Sequence, residues 1–243
     1  MSMIITGKKK DGTFFDRKIE NYQEIVELDL SNNDLLEVNL SPLDNCPELK
    51  FLELSNNHLK FVDLSVLENC SKLEIVLIGN NSLVNIDLSP LTNCSELRTL
   101  SLCDNNLRLI ELAPLNESKK LENLWLFNNQ LQYINLFPLQ ICINLQKISL
   151  WINELKEIDL LPLKGCSNLS LLDLSENMLK DIDLSPFTNH TGLEILNLSE
   201  NNFNFLDLTP LESCPNIKKL SISKNPLGKG VKWEKGDDLC IDY

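Results

Sequence analysis

Asparagine recurs at a spacing of 24 residues along the chain, at Asn33, Asn57, Asn81, Asn105, Asn129, Asn153, Asn177, Asn201 and Asn225. Around each sits the frame L-x-x-L-x-L-x-x-N-x-L, with other apolar residues standing in for some of the leucines. Leu49-Leu52-Leu54-Asn57-Leu59 and Leu121-Leu124-Leu126-Asn129-Leu131 are typical copies. A fixed period of this size means a stack of supersecondary units, because one unit cannot bury its apolar face alone and must lean on its neighbours. Such a protein is built as a repeating surface. Its function is to be sought where one repeat departs from the rest.

Within each copy the L-x-L segment alternates, so the leucines point inward and the intervening residues outward, as on a strand. Strands of successive coils then pair in parallel into one long sheet. The asparagine turns the chain out of the strand, and its amide both donates to and accepts from backbone groups of adjacent coils. Nine of them stacked predict a buried, satisfied polar ladder. The return half reads I-D-L-S-P-L-x-x-C, as in Ile86-Asp87-Leu88-Ser89-Pro90-Leu91. Ser or Thr before Pro predicts an N-cap with proline at the first helical position. The acid three residues on, in Ser41-Pro42-Leu43-Asp44 and Thr209-Pro210-Leu211-Glu212, predicts a capping box.

The nine copies fill residues 25–227 of the 243, leaving 1–24 and 228–243 to cover the apolar cross-sections of the end coils. Residues 1–24 carry a hairpin signal at Asp11-Gly12. Phe14, Ile19 and Tyr22 fall where the second half of a coil would place inward residues, so a half-coil cap is expected. After Leu227, Gly228-Lys229-Gly230 leads to Val231 and Trp233 as an apolar lid, and Asp237 to Tyr243 reads as a loose tail.

These residues resemble the leucine-rich repeat family, whose hallmark is the L-x-x-L-x-L-x-x-N-x-L segment. The resemblance covers nearly all of residues 25–227. It implies an α/β solenoid, a right-handed horseshoe or arc with the parallel sheet on its concave face and short 3-10 or helical turns on its convex face. It also implies protein binding on the concave sheet.

Composition narrows the partners. A net charge of −13 repels phosphate backbones and anionic headgroups, which argues against nucleic acid and membrane. No run reaches the ~18–20 apolar residues of a membrane span. The first residues, Met-Ser-Met-Ile-Ile-Thr-Gly-Lys-Lys-Lys, lack the apolar stretch of a secretory signal, so the expected location is cytoplasmic.

Six of the eight cysteines, Cys46, Cys70, Cys94, Cys142, Cys166 and Cys214, occupy one repeat position that Ser118 and His190 fill elsewhere. Metal ligands must converge on one point, whereas these are dealt out one per coil, so they read as buried free thiols. Cys103, outside that row and facing outward, is the thiol expected to react. The acids Asp63, Asp87, Glu111, Asp159, Asp183 and Asp207 are also dealt out singly and read as solvated or turn-capping groups rather than a cation column. Neither histidine, His58 or His190, has a serine and an acid in a triad pattern, and no glycine-rich phosphate loop is present. No active site, metal or cofactor is expected.

The departures are sharper. Just after the second strand leucine most repeats carry serine outward, at Ser31, Ser55, Ser175, Ser199 and Ser223; repeats three to six carry Gly79, Cys103, Phe127 and Trp151. Two residues earlier stand Leu77 and Trp125, and beside Trp151 lies Ile152, where most other repeats place Asn, Asp or Glu. Adjacent strands lie ~4.8 Å apart, so Phe127 and Trp151 should be side by side with Trp125 diagonal to them. On the return side, Phe137 and Leu161 replace the capping serine, and Ile141 and Ile143 replace polar residues or proline. That marks either a second contact surface, self-association included, or local apolar packing.

The favoured function is a non-enzymatic module that binds a protein or peptide through Trp125, Phe127, Trp151, Ile152, Leu77 and Cys103. The alternatives are the recognition domain of a larger signalling protein or enzyme, such as a ligase or GTPase-linked receptor, and a pattern-recognition ectodomain.

Overall fold

The computed structural model describes residues 2–233 and 240–242. It opens with an antiparallel hairpin, β1 (Ser2–Lys9) and β2 (Phe14–Glu20), turning at Asp11-Gly12, where Gly12 has φ +86°. Only glycine takes that backbone freely. Nine short strands follow, one per repeat: β3 (Glu27–Asp29), β5 (Phe51–Glu53), β6 (Ile75–Leu77), β7 (Thr99–Ser101), β8 (Asn123–Trp125), β9 (Lys147–Ser149), β10 (Leu171–Asp173), β11 (Ile195–Asn197) and β13 (Lys219–Ser221). They form one parallel sheet in chain order, each residue paired with the one 24 positions later, as Leu124 with Ile148. The first repeat adds β4 (Leu35–Asn39), which receives β1 antiparallel.

Alternation fixes what is inside. Leu124 and Leu126 are fully buried while Asn123, Trp125 and Phe127 lie on the opposite, concave side, only half-buried. The backbone rungs continue past the short strands, with the Leu126 amide donating to the Ser149 carbonyl at 2.9 Å and the Asn128 amide to the Trp151 carbonyl at 2.8 Å. The asparagine ladder closes each coil. Asn129 Nδ2 donates to the carbonyls of Leu102 (3.0 Å), Leu126 (3.1 Å) and Phe127 (3.3 Å), and its Oδ1 accepts from the Leu107 amide at 3.0 Å. Seven ladder residues are buried; Asn33 and Asn225, in the end coils, are half-buried because one neighbouring coil is missing.

Each return half carries a 3-10 turn of three to five residues on the convex side, such as Ser89–Asn93 and Phe137–Ile141. The expected serine cap is not what starts it. No such turn has a side-chain cap from its N-cap residue, which is a leucine rather than the expected serine or threonine. The residue before that leucine does the work: Asp87 Oδ1 accepts from the Ser89 amide at 2.9 Å, and Asp63, Asp159, Asp183 and Asp207 repeat the bond. The acid column is therefore turn-capping. Asp44, the expected box partner of Ser41, instead accepts from Asn69 Nδ2 of the next coil at 2.7 Å.

The ends depart from the coil plan. Residues 14–20 alternate as a hairpin strand, so parity decides their facing: Phe15 and Ile19 are buried, and Phe14, expected inward, is 84% exposed. Tyr22 is half-buried against the core. Arg17 reaches across and donates to the Asp29 carbonyl on β3, the last strand at this end of the sheet. At the other end β12 (Leu206–Asp207) pairs in parallel with β14 (Val231–Lys232), and Val231 and Trp233 pack partly buried on the core. Within the expected loose tail, Cys240–Asp242 form β15, parallel to β13; positions 237–239 and Tyr243 lie outside the described residues.

Candidate functional site

The sheet presents four outward positions per coil: the first and third strand residues, the residue two beyond, and the one before the ladder asparagine. At the third of these, Phe127 and Trp151 stand side by side on adjacent coils with ring centroids 5.2 Å apart and planes 23° apart, an offset stack. Trp125 lies in register between Ser101 and Ser149, and both serines are buried (7% and 4%) although they share its face. Small residues beside large ones leave the rings standing above their surroundings. Leu77 sits two coils away on β6, and Cys103 links it to Phe127. All of these side chains are half-buried rather than fully solvated.

Gly79 and Cys103 fit as a pair. A Cβ on Gly79 would lie 2.8 Å from Cys103 Sγ, so the missing side chain makes room for the thiol. That sulfur also lies 3.4 Å from Ser101 Oγ, and burial pushes its pKa up to about 11. Cys103 is only half-buried, where Cys46, Cys70, Cys94, Cys142, Cys166 and Cys214 are buried, as its outward position requires, while its raised pKa lowers the share of nucleophilic thiolate.

Ile152 holds the fourth position, and its backbone is left-handed, φ +49°. Every coil has this kink just before the ladder asparagine, and elsewhere it is taken by Asn32, Asn56, Asn80, Asp104, Asn128, Glu176, Glu200 and Lys224. Polar side chains there also bond along the column, Asn80 to Asn56 and Asn128 to Asp104, each at 2.7 Å. Ile152 interrupts that column with a β-branched side chain in a region such residues avoid.

Sequence reasoning missed four apolar residues on this face. Phe51, Ile75, Leu171 and Ile195 occupy the first strand position, outward and half-buried. The same period-two rule, applied two residues earlier, would have found them. With Leu77, Cys103, Phe127, Trp151 and Ile152 they make an apolar stripe that crosses the sheet diagonally from coil 2 to coil 6, with Leu171 and Ile195 beyond it.

On the convex side Phe137, Leu161 and Ile143 are exposed (61%, 62% and 55%) and Ile141 is half-buried. Phe137 and Leu161 line a shallow groove of about 390 Å³ with Gln140, Asp159, Pro162, Lys164 and Gly165. The aromatic cluster and this groove lie on opposite sides of the coils and do not form one site.

The cysteine row also runs along the stack, with several thiols aimed at backbone carbonyls of the preceding coil. Cys70 Sγ points at the Cys46 carbonyl (3.6 Å) and Cys94 Sγ at the Cys70 carbonyl (3.5 Å); burial pushes the Cys94 and Cys142 thiols up to about 12. The seven cysteines from Cys46 to Cys214 are free thiols. Among the described residues no three His, Cys, Asp or Glu are placed to hold a metal ion, and no helix is long and apolar enough to cross a membrane.

A family model described as a BspA type leucine rich repeat region, in six copies, matches residues 17–129 and 115–227. No curated protein matches the sequence. Among solved structures, an internalin (inlF) from Listeria monocytogenes matches 89% of this chain at 23% identity, with a TM-score of 0.69. A plant peptide hormone receptor, RGFR1 in complex with RGF2, matches 76% at 25% identity and a TM-score of 0.69. The functional domain of InlJ from L. monocytogenes, which includes a cysteine ladder, matches 87% at 20% identity and 0.60. The matched parts span 63%, 30% and 47% of those structures' own lengths.

Proposed function

The chain belongs to the BspA-type leucine-rich repeat family, and from that premise we propose that it is a non-enzymatic interaction module holding a protein or peptide on the concave sheet of coils 3–6. The carrying observation is the Phe127–Trp151 stack beside Trp125, on a face that presents serine in most other coils. Each such ring offers ~150–250 Å², so the cluster reaches the few hundred Å² at which an exposed apolar patch marks an interaction site. Nothing in the core needs these rings, since Leu124, Leu126, Ile148 and Leu150 fill the interior beneath them. The receptor bound to RGF2 supports a peptide as one form of partner.

The test is Trp125→Ser, Phe127→Ser and Trp151→Ser, singly and together, with thermal unfolding beside binding of the captured partner. Each change should weaken binding by ~2 kcal/mol or more and leave stability within about 1 kcal/mol, with Phe127→Ser and Trp151→Ser losing the stack they share. Unchanged binding by a folded triple variant would sink the proposal and shift attention to the Phe137–Leu161 groove. Collapse of the fold would mean that the rings serve as core.

A further inference from the structure

Ile152 is the one β-branched residue at the left-handed position that every coil shares. A left-handed backbone is unfavourable for any residue with a Cβ and worst for a β-branched one. The conformation cannot relax, because the Ile152 amide donates to the Ser175 carbonyl at 3.1 Å and its carbonyl accepts from the Asn129 amide at 3.0 Å. The eight other coils place a polar residue there, six of them bonded in pairs along the column, Asn80 to Asn56, Asn128 to Asp104 and Lys224 to Glu200, and Ile152 can join none. The residue also brings no core packing, being half-buried on the outer side. It extends the apolar stripe by one residue beyond Trp151.

The surroundings give the charge of what would lie there. Glu176 holds the same position in the next coil, and Asp173 is in register with Ser149, two residues before Trp151. The only base on this face of coils 5–7 is Lys147 at the first strand position, five residues from Ile152 and so roughly 16 Å along an extended chain. The end of the stripe at Ile152 is therefore apolar and negative, within a protein of net charge −13.

We propose that Ile152 is a specificity-determining contact, and that the bound segment sets a large apolar side chain on Trp151 and Ile152 with a lysine or arginine beside it, facing Asp173 and Glu176. This rests on the concave-face reading above and adds the chemistry of the partner. An apolar anchor supplies affinity in the desolvated centre, and the flanking charge pair sets orientation and association rate.

The probe is a phage-displayed random dodecapeptide library selected on the whole protein. Enriched sequences should join an aromatic or long aliphatic residue to a nearby Lys or Arg. A synthetic copy should bind Ile152→Asn and Trp151→Ser at least about tenfold more weakly than the unmodified protein. Glu176→Lys should weaken it as well. Ile152→Asn should meanwhile raise the thermal midpoint, since asparagine tolerates the left-handed backbone. Ile152→Glu, the residue that coils 7 and 8 carry there, is the second variant and should behave alike in stability. No enrichment, or an acidic consensus, overturns the proposal, and so does a midpoint that fails to rise. Loss of binding on Trp151→Ser but not on Ile152→Asn rejects the role of Ile152 and leaves the aromatic surface standing. Binding untouched by either sinks both.

Discussion

Two columns climb the stack one residue apart, and they obey different rules. The inner one is asparagine in all nine coils, from Asn33 to Asn225. The outer one, immediately before it, reads Asn, Asn, Asn, Asp, Asn, Ile, Glu, Glu and Lys. Both lie in the same turn, but their surroundings differ. The inner amide satisfies carbonyls of its own coil and the preceding one and accepts an amide as well, which takes a carboxamide, and glutamine would carry that group one methylene further out. The outer residue need only tolerate a positive φ and then answers to solvent or to a partner. Uniformity thus reports what the fold requires, and variation reports where the surface is free to specialise.

The largest test of that contrast is a pair of neighbours. Asn129→Ala leaves the Leu107 amide unpaired in the interior and takes one of two donors from the carbonyls of Leu102, Leu126 and Phe127, which keep Asn105 Nδ2, Asn153 Nδ2 and the Asp104 amide. It should cost ~2 kcal/mol of unfolding free energy, the middle of the range for an unsatisfied buried group. Asn128→Ala loses one exposed bond to Asp104 and a residue suited to the left-handed turn, a cost of ~1 kcal/mol. Denaturant unfolding of the two variants decides it. Equal losses would mean that the ladder carries no more than its neighbour.

The cysteine row gives a second, smaller test because two coils, with Ser118 and His190, depart from it, and one departure is titratable. His190 replaces the thiol, donates from Nε2 to the Cys166 carbonyl at 3.1 Å, and accepts on Nδ1 from the amides of Gly192 (3.2 Å) and Leu193 (3.1 Å). Protonating Nδ1 would set an N–H against two N–H donors. Burial lowers its pKa below the ordinary 6.5, only partly offset by the Cys166 carbonyl. The unfolded chain then takes up a proton before the native state does, so this contribution is whole above about pH 6.5 and shrinks as pH falls towards the lowered folded pKa. Between pH 7.5 and 5 the thermal midpoint should drop more for the unmodified protein than for His190→Cys, which restores the row. Parallel curves would show that the coil does not notice the proton.

How legible this molecule was in its sequence follows from the same contrast. The coils were readable because nine copies vote on every position: a leucine column that recurs each 24 residues leaves no doubt about facing, and the ladder asparagine follows. The ends had one copy each, so Phe14 and Phe15 could not be told apart by coil phase, and a hairpin parity decided it. The turn caps were misread because serine and the acid two residues before it both fit a capping rule. The chain enters the turn through leucine, which puts the acid within reach of the free amide. At the candidate site, Trp125, Phe127 and Trp151 stood out as departures from serine. The apolar residues at the first strand position did not, because no single residue type dominates that column. The strain at Ile152 is a backbone property, visible only once its φ is known.

The smallest effect is expected on the convex side, and it tests whether exposed apolar residues there belong to the fold. Phe137 and Leu161 stand where other coils carry serine, yet the backbone cap is complete without it: Asn135 Oδ1 accepts from the Phe137 amide at 3.0 Å and Asp159 Oδ1 from the Leu161 amide at 2.8 Å. Their side chains are more than half exposed, and they bury little of the area from which an apolar residue draws its stabilisation. Phe137→Ser and Leu161→Ser should therefore shift unfolding free energy by no more than about 0.5 kcal/mol. The concave side differs, since Phe127 and Trp151 lean on each other and lose a stack when either is cut back. If the convex pair instead costs as much as Trp125, Phe127 and Trp151 do, the two sides are packed alike, and exposure alone does not separate surface from structure in coils 5 and 6.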